Sequence, residues 1–116
     1  MQRQHNALSS EAVSQCLKLL SDTTRLLMLK FLKEKEYCVC ELTAIFGMSQ
    51  PGISQHLRKL KNAGLVRERR EGQWRYYAIH QSGPEYALVR SILQQIDEKD
   101  GVLHTLRQKE ATVSCR

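Results

Sequence analysis

No stretch of the chain approaches the roughly 18 consecutive apolar residues that a bilayer-spanning helix needs. Met1 to Asn6 is polar and lacks the apolar core of a secretion signal. Both absences predict a cytosolic protein with no membrane partner. A reducing compartment argues against structural disulfides among the four cysteines. They then read as core residues, metal ligands or redox groups. Internal repeats, linkers and low-complexity stretches are also missing. So is a catalytic set: His56 has no orienting carboxylate in the pattern, and nothing suggests an oxyanion site. This argues against a thiol enzyme built on Cys38 or Cys40.

What is present suits one domain over residues 1–116, with 41% hydrophobic and 26% charged residues. A core this small gains from burying further apolar surface in a dimer. The formal charge is +6, which suggests a polyanionic partner. Its distribution says more. Between Gln50 and Tyr76 seven Arg and Lys stand against two Glu, so +5 of the net charge lies in about a quarter of the chain.

Residues 11–20 carry Val13, Cys16, Leu17 and Leu20 at the spacing of an amphipathic helix. Ser21 or Asp22 is placed to cap a second helix running to about Lys33, with Leu26, Leu29 and Leu32 on one face. A short third helix is predicted near Cys38 to Phe46, ended by Gly47. Ser49 caps a fourth, with Pro51 in its first turn and Ile53, Leu57 and Leu60 as its stripe. The period then changes to two, predicting strands over 65–70 and 74–79 joined through Glu71-Gly72-Gln73. Helical spacing returns from about Pro84 to Lys99, Asp100-Gly101 interrupts it, and residues 102–109 add a turn or two. The expected fold is mainly α with a β-hairpin, a dimeric winged helix-turn-helix of order ααααββα. Residues 8–20 and 84–110 would form the dimer, and 38–79 would read DNA.

A short Gly-containing turn, Gly47-Met48-Ser49, sets two helices at a steep angle. The second would enter the major groove and present Ser49, Gln50, Gly52, Ser54, Gln55 and His56. An amide suits adenine and a hydroxyl suits any base. Arg58, Lys59 and Lys61 would meet phosphate, which positions a protein without reading sequence. The hairpin supplies a wing bearing Arg67, Arg69, Arg70, Gln73 and Arg75. Trp74, Tyr76 and Tyr77 could stack on bases, but strand aromatics of this kind more often pack a wing onto its helices. Two-fold symmetry would match an inverted-repeat operator in double-stranded DNA.

Four segments carry a resemblance to a known family. They are Ser21-Asp22-Thr23-Thr24-Arg25, Tyr37-Cys38-Val39-Cys40-Glu41-Leu42, Ser49 through Leu57, and Gly72-Gln73-Trp74-Arg75-Tyr76-Tyr77. Together with the order of elements, they resemble the ArsR/SmtB metal-sensing repressors from about Glu11 to Ile96. The resemblance implies a homodimer that binds its operator without metal and releases it with metal. Thr23 departs from the proline common there. Cys-Val-Cys resembles the arsenic- and cadmium-sensing branches. The family's zinc spacings are absent from the C-terminal helix, where His104 and Asp97 stand alone.

Thiolates favour thiophilic ions. Unpaired N–H groups at a helix start are expected to lower the pKa of Cys38 and Cys40. On one regular helix, residues i and i+2 point roughly 200° apart. Both sulfurs could then reach one ion only by distorting the helix. The third ligand is open: Thr43 occupies the position where the arsenic pattern can carry another cysteine. Residues 1–10 hold only His5, whereas the cadmium/lead pattern uses cysteines there. This favours As(III) or Sb(III) as inducer over Cd(II) or Pb(II). Cys16 reads as core ahead of its alternative as a metal ligand, and Cys115 as a tail residue that could swing in as a ligand. A redox or persulfide switch on the same scaffold is the competing reading.

Overall fold

In the computed structural model residues 7–115 are described; Met1–Asn6, including His5, and Arg116 lie outside them. The element order is α1 (Ser10–Leu20), α2 (Thr23–Glu34), β1 (Tyr37–Cys38), α3 (Val39–Phe46), α4 (Gln50–Asn62), β2 (Val66–Glu71), β3 (Trp74–Ile79), α5 (Tyr86–Gln94) and α6 (Gly101–Glu110). It is the expected winged helix-turn-helix with two departures. One is the extra strand β1. The other is the early end of the helix expected to run to Lys99.

Side-chain caps explain most helix starts. Ser9, Asp22, Ser49 and Asp100 each accept a backbone N–H three residues on, for α1, α2, α4 and α6. Each satisfies one of the donors that a first helical turn leaves unpaired. The expected helix to Lys99 stops at Gln94 instead. The Asp100 N–H bonds the Asp97 carbonyl at 2.9 Å and the Lys99 N–H bonds the Asp97 side chain at 2.8 Å, which turns the chain before Asp100 caps α6.

The strands form one antiparallel sheet of order β1-β3-β2. Tyr37 pairs with Tyr77 and Cys38 with Tyr76, so the segment before α3 is the third strand of the wing sheet. Helix α2 sits at the centre of the core. Leu27, Met28, Leu29, Phe31 and Leu32 are all buried, so it is covered nearly all round instead of along one stripe. Ile53, Leu57 and Leu60 of α4 and Leu42 and Ile45 of α3 close over it.

Candidate nucleic-acid interface and cysteine site

Helix α3 ends at Gly47, whose φ of 62° lies in the left-handed region. Two residues later Ser49 caps α4, and Pro51 stands in its first turn. This tight connection presents the N-terminal half of α4 outward. Gln50 and Gln55 are exposed, and Gly52 and Ser54 are half-buried. His56 turns back instead. Its Nδ1 lies 3.3 Å from Arg25 Nη1. A guanidinium can only donate, so Nδ1 accepts and the ring proton sits on Nε2. Burial holds this imidazole below its ordinary pKa. His56 therefore ties α4 to the start of α2.

The basic residues divide into free and committed groups. Arg58, Lys59 and Arg67 are exposed, as is the neutral Gln73 in the hairpin turn. Arg69 makes a two-pronged contact with Glu36 at 2.9 Å, reaches Glu71 at 2.8 Å and stacks over Tyr76. Arg75 donates to Ser54 Oγ at 3.3 Å, joining wing to reading helix. Lys61 pairs with Glu68 at 2.7 Å and Arg70 lies 3.9 Å from the same carboxylate. Ser54, Arg58, Lys61, Arg70 and Arg75 meet around a cleft of about 240 Å³. Glu68 and Tyr77 also line it. Glu68 was not singled out for DNA by the sequence, because an acidic residue within a basic run reads only as a lost charge, and Tyr77 was read as an aromatic that packs the wing.

The cysteines differ from expectation in three respects. First, Cys38 and Cys40 do not share a helix. Cys38 is extended (φ −82°, ψ 160°) and is the N-cap of α3, while Cys40 lies in its first turn. The 200° argument for one regular helix therefore does not apply. Second, the Cys38 thiol is not made acidic. It is 1% exposed, and burial pushes its pKa up despite the Glu41 N–H that it accepts at 3.4 Å. The Cys38 N–H in turn donates to Glu41 Oε1 at 2.8 Å, completing a reciprocal capping box. Third, Cys40 and Cys115 are joined as a disulfide with Cα atoms 6.3 Å apart, where no disulfide was expected.

The tail reaches Cys40 because α6 is fastened onto α2 and α3. Arg107 pairs with Glu34 and lies over the Phe31 ring, and the Tyr37 hydroxyl donates to Glu110. Burial and the Glu110 carboxylate push the Tyr37 phenol pKa up, which keeps that proton in place. Thr43, at the expected third position, donates to the Cys40 carbonyl at 2.7 Å. Cys16 is 3% exposed in the core, its thiol pKa raised by burial and by Glu85. Among the described residues, no three Cys, His, Asp or Glu side chains are gathered as a metal site. No described helix is long and apolar enough to cross a membrane.

A polar-tipped second helix behind a capped turn, beside a basic hairpin, defines a winged helix-turn-helix DNA-binding regulator. Residues 22–68 match the family described as bacterial regulatory protein, arsR family. The chain is 31% identical over 102 residues to the arsenical resistance operon repressor of Staphylococcus aureus, covering 88% of this chain and 89% of that one. It is 43% identical over 84 residues to the arsenic resistance transcriptional regulator ArsR1 of Pseudomonas putida, covering 70% of this chain and 66% of that one, just under two thirds of its length. Its fold is similar to a homodimeric winged helix-turn-helix DNA-binding domain, Mb0332 from Mycobacterium bovis, with TM-score 0.64, 29% identity and coverage of 82% and 92%. The chain belongs to the ArsR family of transcriptional regulators, which bind DNA and are not enzymes.

Proposed function

We propose that the protein is a homodimeric repressor that holds an inverted-repeat operator and releases it when As(III) or Sb(III) binds Cys38 and Cys40, with Cys115 as third ligand. The observation that carries this reading is the meeting of Cys115 with Cys40 at the start of α3. Once a cellular thiol reductant has returned that pair to two thiols, it offers a third sulfur where Thr43 cannot. Soft donors suit these ions, and three sulfurs complete the pyramidal sphere of a trivalent arsenic or antimony. The relatives named for arsenic resistance support the same inducer.

Cys38 stands at a junction. It caps α3, pairs with Tyr76 of the wing strand and is buried in the core. Engaging its sulfur removes the acceptor from the Glu41 N–H and draws the residue outward. That loosens the first turn of α3, which packs on α4, and the edge of the sheet that carries the wing. Exposed Leu17 on α1 and Val102 on α6, at 49% and 56%, support a dimer formed through the first and last helices.

The test is operator binding followed by fluorescence anisotropy, with As(III), Sb(III), Cd(II), Zn(II) and peroxide added in turn. Cys38→Ser and Cys40→Ser are expected to bind operator and stay bound with As(III). Cys16→Ser should respond like the wild type, and Cys115→Ser more weakly. A normal arsenite response from Cys38→Ser or Cys40→Ser overturns the site. The Cys40–Cys115 bridge favours one alternative, a redox switch. Two thiols and one peroxide would give the disulfide and two waters. Release by peroxide with arsenite inert selects that reading.

A further inference from the structure

We infer that Glu68, an acidic residue set inside the basic face, is the positioning residue that locks the wing to the reading helix and so determines sequence specificity without touching a base. The inference rests on the reading that this face binds DNA. It does not depend on the inducer.

The Glu68 side chain is only 13% exposed although it lies on the outer strand of the wing. Four groups converge on it. Lys61, near the end of α4, lies 2.7 Å from Oε1. The Tyr77 hydroxyl donates to Oε2 at 3.1 Å. Arg75 and Arg70 approach Oε2 at 3.8 and 3.9 Å. Arg75 then continues the chain of contacts, donating to Ser54 Oγ at 3.3 Å. Gln50 Nε2 donates to that same oxygen, also at 3.3 Å. One network therefore leaves the base-facing end of α4 at Gln50, crosses to the wing at Arg75, turns at Glu68 and returns to α4 at Lys61. The alternative is an ordinary surface ion pair. An isolated Lys61–Glu68 contact at a half-exposed lysine would contribute little. That alternative accounts for neither the shielding of Glu68 nor the two arginines and the phenol aimed at it.

Charge alone and positioning make opposite forecasts. A carboxylate facing DNA repels phosphate, so removing its charge should strengthen every DNA complex alike. If Glu68 positions Arg75 and Ser54, removing it should weaken the preferred sequence while helping random DNA. The experiment starts from a duplex that the wild-type chain selects out of a random-sequence library. Affinities of wild type, Glu68→Gln and Tyr77→Phe are then measured for that duplex and for a scrambled one across a salt series. Glu68→Gln is expected to lose about tenfold in affinity for the selected duplex, the scale of one disturbed base contact. It should bind the scrambled duplex as well as wild type or better. Tyr77→Phe, which keeps the charge, should lose specificity in the same direction by a smaller factor.

Equal fold-changes on both duplexes, in either direction, would overturn the inference, because a bare charge effect or partial unfolding acts on both alike. If the wild type selects no duplex, the DNA-binding reading of this face fails together with it. If it selects one and the Glu68→Gln ratio equals wild type, only the role of Glu68 fails.

Discussion

A thiol is an unusual N-cap, and Cys38 shows why the residue type matters apart from metal chemistry. Its sulfur accepts the Glu41 N–H from 3.4 Å, a longer bond than a hydroxyl would make. Cys38→Ser should therefore keep the cap, keep the fold and keep operator binding. Cys38→Ala should lose about 1 kcal/mol from the cap alone, read as a lower urea midpoint. Titration adds a second signature. Burial raises the folded-state pKa of this thiol above the ordinary 9.0. The neutral form is thus favoured by folding. Its stabilising effect is complete below the ordinary value and is lost as pH rises through the raised one. Wild type should lose stability above about pH 9 more steeply than Cys38→Ser, whose hydroxyl does not titrate there. The sequence placed Cys38 at a helix start but forecast the opposite pKa direction. Helix position is legible in a pattern. The burial of that position, where Cys38 pairs with Tyr76 in the sheet, is a tertiary fact, and here desolvation outweighs the N-terminal field.

At the scale of elements, what could be read was what local chemistry fixes. Gly47, Ser49 and Pro51 mark the turn and the start of α4, and the structure uses each as expected. The strand period from Trp74 to Ile79 is likewise plain. Strand β1 was invisible because two residues cannot show a period, yet it carries the coupling of Cys38 to the wing. The interruption at Asp100-Gly101 was legible, but the end of α5 as early as Gln94 was hidden for a related reason. The apolar stripe continues to Ile96 in sequence, while Asp97 and Asp100 decide the geometry through their own side-chain bonds. Gly47 allows a direct test. Its φ of 62° costs a residue with a Cβ roughly 1–2 kcal/mol. A Cβ built there would lie 3.6 Å from Lys109 Nζ, the movable end of a long side chain, so crowding adds little. Gly47→Ala should lower stability by about that conformational cost. The strained turn sets the angle of α4, so operator affinity should fall further than global stability explains.

Across the whole molecule, residues 75 apart in sequence meet where Cys115 reaches Cys40. Two other kinds of fastening hold the same arm, the Arg107–Glu34 ion pair and the Tyr37–Glu110 hydrogen bond. The arm therefore does not depend on the disulfide to find its place. The bridge would act mostly on the unfolded chain, closing a loop of this length and limiting its freedom. Chain-entropy reasoning puts that effect near 4 kcal/mol, an upper value. The reduced protein should then be less stable than the oxidised one but folded, with α6 still docked. Thermal melts with and without dithiothreitol measure the difference. Cys115→Ser should melt at one temperature under both conditions, close to reduced wild type. Adding Arg107→Ala separates the two fastenings. With the bridge intact, its loss should cost little, because the tail is tethered at Cys115. In reduced protein it should loosen α6, seen as faster amide exchange over Leu103–Glu110, although the Tyr37–Glu110 bond and the buried Leu103 and Leu106 remain. If exchange there is already fast in reduced wild type, the ion pair and hydrogen bond do not hold the arm. Cys115 would then reach Cys40 only by chance encounter, and its use as a ligand would carry the full entropic cost of closing that loop.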